Sequence, residues 1–129
     1  MALVLVVDDV QDGRELLARV LRQLGGHETI TADGGQRALE LIDQRHPALV
    51  VLDIAMPGMD GFEVLETLQS REDQASPPVV MLTAFHDQAN RDRAADLGAA
   101  DYFVKGSLDL SQLLAKVAAL VDGDQPAAG

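Results

Sequence analysis

The stretch Ala48-Leu49-Val50-Val51-Leu52-Asp53-Ile54-Ala55-Met56-Pro57-Gly58-Met59-Asp60-Gly61 decides the reading of this chain. Its apolar run predicts a buried strand over Ala48–Asp53, and its Pro and Gly predict a loop over Met56–Gly61. Asp53 then stands at the carboxyl end of that strand, where open α/β sheets keep their ligand crevices.

Three other apolar runs end in the same manner. Leu3–Val7 leads into Asp8 and Asp9, Val79–Leu82 into Thr83, and Tyr102–Val104 into Lys105. A weaker, more polar strand is predicted over His27–Thr31, nearer an edge. Helical patterns separate these runs. Gln11–Leu24 carries Leu16, Leu17, Val20, Leu21 and Leu24 on one face and stops at Gly25-Gly26. Asp33 is placed to cap a helix reaching Arg45, with Ala38, Leu39, Leu41 and Ile42 inward and Pro47 beyond. Gly34-Gly35 is expected to weaken its start.

Further helices are predicted over Phe62–Ser70, over His86–Leu97 with little apolar area, and over Leu108–Val121. Residues 122–129 read as a frayed tail after a single domain over 2–121. Strands alternating with helices imply βαβ units and one parallel sheet covered on both faces. Right-handed crossovers put the strand carboxyl ends on one rim. Asp8, Asp9, Asp53, Thr83 and Lys105 therefore converge.

Composition narrows the function. The 129 residues suffice for one domain with a core, and 47% are hydrophobic but only 3% aromatic, so Leu, Val and Ala must fill it. No apolar stretch approaches a membrane span, and the N-terminus enters a strand without a basic n-region, which argues against a signal peptide. There is no cysteine, hence no thiolate site. These features fit the cytoplasm. A formal net charge of −11 argues against direct nucleic-acid binding. His27, His46 and His86 are scattered without metal spacing.

The rim suits phosphoryl chemistry on Asp53. A carboxylate attacking phosphorus needs the phosphoryl charge screened, and Mg²⁺ (or Mn²⁺ in its place) held by oxygen ligands does that. Asp9 and Asp53 read as direct ligands, Asp8 as adjacent or acting through water, and the Ala55 carbonyl as a further ligand if the loop curls back. Lys105 supplies a positive charge and Thr83 a hydroxyl to phosphoryl oxygens. No GxxxxGK[ST] or GxGxxG motif is present, so the phosphate donor must come from elsewhere.

These residues in this order resemble the receiver (response regulator) domain of two-component signalling, CheY-like, over residues 2–121. The resemblance rests on Val7-Asp8-Asp9, the Asp53–Gly61 stretch, Leu82-Thr83-Ala84, Gly98-Ala99 and Tyr102-Phe103-Val104-Lys105. It implies a flavodoxin-like (βα)5 fold and phosphorylation of Asp53 by a histidine kinase or a histidine phosphotransfer protein, with Mg²⁺ required. It further implies that Thr83 moves toward the phosphoryl group and that Tyr102 turns inward as an aromatic switch. The small Ala84 would leave the site open to solvent. The face of the fourth helix, fifth strand and fifth helix would then be reshaped for an output partner or output domain.

One residue departs from the family pattern. The lysine is usually followed by a proline with a cis peptide, and here Gly106 follows Lys105. Lys105 is still expected to reach the site. Two alternatives stand beside the phosphoacceptor reading: a degenerate receiver that only binds partners, and a Mg²⁺-dependent aspartyl-phosphate phosphatase. The latter would need a general acid where Ala55 stands and a substrate cap, so separate substrate turnover is not expected.

Overall fold

The structure, a computed structural model, describes residues 2–71 and 76–122. Five strands form one parallel sheet: β1 (Leu3–Val7), β2 (Glu28–Ala32), β3 (Leu49–Leu52), β4 (Val79–Thr83) and β5 (Asp101–Val104). Their order across the sheet is β2-β1-β3-β4-β5. Five helices intervene: α1 (Gln11–Gln23), α2 (Gly35–Arg45), α3 (Gly61–Gln69), α4 (Gln88–Asp96) and α5 (Leu110–Asp122). The expected flavodoxin-like α/β fold is the one observed.

Strand alternation divides the core in two. Val4, Val6, Leu49, Val51, Val80 and Leu82 face α1 and α5, meeting Ala18, Leu21, Leu113 and Val117. Leu5, Val7, Val50, Leu52, Val79 and Met81 face α2, α3 and α4. The three middle strands are buried on both faces, which is why they read as unbroken apolar runs. From β1 the chain winds one way to β2, and from β3 the other way to β4 and β5. The switch lies between β1 and β3, which pair directly from Val4↔Leu49 to Val7↔Leu52. In a doubly wound sheet that junction opens the ligand crevice. Asp8 and Asp53 follow the last paired residues on either side of it.

Several boundaries differ from expectation. Asp33 does not cap α2: Gly34 is the N-cap, and no side chain caps it. Gly35 has a packing role. A Cβ there would strike the Met59 backbone and the Met59 and Val64 side chains, so glycine lets α2 approach the loop before α3 and α3 itself. The inward face of α1 is Ala18 and Leu21, flanked by Leu17 and Val20, while Leu16 and Leu24 remain 59% and 67% exposed. The last helix starts at Leu110, because Lys105–Ser107 first forms a 3₁₀ turn. It includes Asp122, which the sequence places in the tail; residues 123–129 lie outside the described residues.

Local signals explain the remaining elements. Asp60 and Glu63 form a capping box at α3, each side chain accepting from the other's backbone N–H. Gly98 follows α4 with φ +93, the left-handed conformation that ends helices. As its sequence suggests, α4 buries only Ala94 fully. Arg93 lies 4.3 Å from the Phe62 ring centroid and Arg91 4.9 Å from that of Tyr102. These stacked guanidiniums give α4 contact that its alanines cannot.

Gly61 and Gly106 should respond in opposite ways to a methyl group. A Cβ on Gly61 would collide with the Asp53 backbone, whereas one on Gly106 meets nothing within 4 Å. Gly61→Ala is expected to cost at least ~2 kcal/mol in urea unfolding, as overpacking against backbone does. Gly106→Ala should stay within about 0.5 kcal/mol of wild type.

Candidate phosphoryl and metal site

Two carboxylates are almost fully buried at the sheet's switch point: Asp8 is 7% exposed and Asp53 6%. Each is fixed by its neighbouring backbone. Asp53 Oδ1 accepts from the Ile54 N–H at 2.7 Å, and Asp8 Oδ1 accepts from the Val10 N–H at 2.9 Å. Their other oxygens share one ammonium. Lys105 Nζ lies 2.7 Å from Asp8 Oδ2 and 3.1 Å from Asp53 Oδ2. Burial works against the charge on Lys105, but the Asp8 and Asp53 carboxylates outweigh it and raise its pKa.

Asp9, exposed, completes the cluster. Asp8, Asp9 and Asp53 each offer an oxygen within 4.8 Å of the others. Around Mg²⁺, with oxygens at roughly 2.1 Å in octahedral geometry, neighbouring ligands stand about 3 Å apart and opposite ones about 4.2 Å. The three acids therefore fit an ion after small side-chain adjustments. Charge points the same way: one ammonium serves the two buried carboxylates, Asp9 adds a third negative charge beside them, and buried acid without sufficient compensating cation is costly.

The other predicted residues ring this cluster. Thr83 is fully buried at the end of β4, and its Oγ1 accepts a long 3.4 Å bond from the Phe85 N–H. Ala84 and Ala55 are exposed. Gly58, with φ +76, turns the loop after Ala55, and the loop closes where the Gly61 N–H donates to the Ile54 carbonyl at 2.9 Å. Tyr102 is partly buried on β5 and its hydroxyl donates to the Phe85 carbonyl at 2.8 Å. Lys105 reaches the acids although Gly106 follows it; among the described residues no peptide bond is cis.

Sequence reasoning missed Arg14. Its Nη1 donates to the Asp8 carbonyl at 2.8 Å from the first turn of α1. An arginine in a helix's first turn runs against the helix dipole, and that local oddity was the available signal. The exposed Leu16, with Leu17, Val20, Leu108 and Leu110, also lines an apolar groove of about 370 Å³ that runs up to Asp8 and Lys105.

Comparison with known proteins gives the family. The sequence pattern of the family described as Response regulator receiver domain matches residues 4–118. The chain belongs to that family. This receiver is 43% identical over 102 residues to a probable transcriptional regulator, ycf27, of Cyanophora paradoxa, covering 79% of this chain and 41% of that protein. It is 42% identical over 117 residues to the positive alginate biosynthesis regulatory protein of Pseudomonas aeruginosa, covering 88% of this chain and 46% of that one. The receiver thus spans less than half the length of these two relatives. Among solved structures, the response regulator TrrA of Thermotoga maritima in complex with Mg²⁺–BeF superposes with TM-score 0.80 at 35% identity, over 93% of this chain and 99% of that one. Receiver domains of this family serve in signal transduction and in general accept a phosphoryl group. Among the described residues no helix is long and apolar enough to cross a membrane.

Tyr102 is the sole tyrosine and there is no tryptophan, so its titration can be read directly by tyrosinate absorbance. Burial raises its pKa above 10.0, Asp87 and Asp53 add to the rise, and Arg91 opposes it. The folded state holds the phenol proton more tightly than the unfolded chain does. Tyr102 therefore contributes stability that is fully present below pH 10.0 and is lost as pH climbs through the folded pKa. The titration midpoint should lie above 10.0, and Asp87→Asn, which can still cap α4, should lower it. A midpoint unmoved by that substitution would remove the Asp87 contribution and leave burial as the cause.

Proposed function

We propose that this receiver takes a phosphoryl group from the phosphohistidine of a histidine kinase or histidine phosphotransfer protein onto Asp53, in a Mg²⁺-dependent reaction. The observation that carries the reading is the convergence of Asp8, Asp9 and Asp53, two of which, Asp8 and Asp53, share the Lys105 ammonium. A carboxylate oxygen of Asp53 forms the new bond to phosphorus, the P–N bond to the imidazole breaks, and the imidazole leaves with that electron pair. Asp8, Asp9, Asp53 and the Ala55 carbonyl would hold Mg²⁺, or Mn²⁺ in its place. The bound ion supplies charge neutralisation at the phosphoryl oxygens.

The chain's own groups do the remaining work. The Ile54 N–H holds one Asp53 oxygen, which fixes the carboxylate's rotamer before attack. Lys105 is positioned to leave the carboxylates and pair with a phosphoryl oxygen. The Thr83 hydroxyl, held only by a 3.4 Å contact, is free to re-aim toward another, with the exposed Ala84 leaving room. Movement of the β4–α4 segment would strain the Tyr102–Phe85 bond and turn Tyr102 inward. The output surface on α4, β5 and α5 would change shape, altering partner binding.

The apolar groove on α1 beside the acids offers the donor protein a surface next to the phosphoacceptor. Direct nucleic-acid binding by this domain is disfavoured by a net charge of −11. No separate substrate turnover is proposed, since Ala55 offers no general acid. A receiver that only binds partners is the weaker reading, because all the acids and Lys105 are in place.

Intact mass after incubation with Mg²⁺ and acetyl phosphate tests the proposal, with beryllofluoride binding as a parallel readout. Wild type should gain one phosphoryl mass and Asp53→Asn none. Equal labelling of the two proteins would move the acceptor elsewhere, and no labelling or beryllofluoride binding in folded wild type would leave the interaction-only reading.

A further inference from the structure

Asp8 is held at four points. Its N–H donates to the Ala32 carbonyl at 3.2 Å, Oδ1 accepts from the Val10 N–H, and Oδ2 accepts from Lys105. Its carbonyl accepts from Arg14 at 2.8 Å. The first three follow from the sheet, the turn and the acid pocket. The fourth is a guanidinium reaching back from α1, and nothing in the proposed chemistry uses it.

That contact sits at the start of α1. The N-cap of α1 is Val10, whose side chain cannot cap the helix. Gly13 packs its α-carbon side toward Asp8, so that a Cβ there would lie 3.9 Å from Oδ2. Asp9 stands between these points. It is exposed, and among the described residues its carboxylate has no hydrogen-bond partner. The direction in which its side chain leaves the main chain is set by the backbone running from Asp8 to Val10. One side of that turn is held by the Val10 N–H and the other by Arg14.

We infer that Arg14 is a positioning residue of the acid pocket: by anchoring the Asp8 carbonyl it fixes the turn that aims the Asp9 carboxylate at the cluster. The consequence for cation binding rests on the proposed function; the anchoring itself does not. A charge argument alone gives the opposite sign. A guanidinium bonded to the Asp8 carbonyl brings positive charge near the acid cluster and repels a divalent cation, so removing it should tighten binding. If anchoring dominates, removal weakens binding, as loss of a group that orients metal ligands does.

Amide hydrogen exchange and Mg²⁺ titration, both followed by NMR on wild type, Arg14→Lys and Arg14→Met, separate these effects. Arg14→Gln serves where the methionine variant fails to fold. In metal-free protein, exchange at the Val10 amide should rise about tenfold in Arg14→Met. It should return to within about twofold of wild type in Arg14→Lys, which can donate to the same carbonyl. Mg²⁺ affinity should fall about tenfold and recover in the same pattern. Unchanged Val10 exchange in the methionine variant, or Mg²⁺ binding equal to or tighter than wild type, would overturn the inference. If wild type binds no Mg²⁺, the proposed function fails, and the metal-free exchange still decides the role of Arg14.

Discussion

Two buried carboxylates that share one ammonium set the terms for the rest of this molecule. Asp8 and Asp53 end adjacent parallel strands, and their negative charges would repel across the β1–β3 junction without Lys105 between them. Lys105 directly follows β5, the strand at the far edge of the sheet. The interaction therefore ties the centre of the sheet to its edge through long side-chain reach. It also leaves the cluster short of positive charge, since Asp9 adds a third carboxylate and, among the described residues, no second lysine or arginine is bonded to any of them.

The fold was largely legible because the central strands are buried on both faces. Runs such as Leu49–Leu52 and Val79–Leu82 have no polar alternation to confuse, and each ends in a polar residue that marks its carboxyl end. The rim residues were legible for the same reason: position at a strand end, plus residue type, gave their convergence once the sheet was taken as parallel. Helix ends were harder. Whether Asp33 or Gly34 begins α2 depends on how closely α2 packs on Met59 and Val64, a tertiary fact that no local pattern carries. The apolar face of α1 was drawn too wide, because Leu16 and Leu24 match helical spacing but fall outside the contact with the sheet.

Arg14 shows a different limit. An arginine in a helix ordinarily reads as solvated surface, and its bond to the Asp8 carbonyl depends on the path of the loop between strand and helix. Gly106 shows the converse. Its departure from the family pattern is plain in the sequence, yet Lys105 keeps its partners because the 3₁₀ turn at 105–107 carries the chain on toward α5.

The loop from Asp53 to Gly61 has a mechanical meaning. Closed by the Gly61–Ile54 hydrogen bond, sealed by the Asp60–Glu63 capping box, and pressed against the Asp53 backbone, it makes β3 and α3 a single stiff body. Four large apolar side chains of α3 lie in the core, against one alanine of α4. The sheet thus has a stiff shoulder on the α3 side of Asp53 and a compliant one on the α4 side. A side chain displaced from the acid pocket therefore meets far less buried apolar packing on the α4 side than on the α3 side.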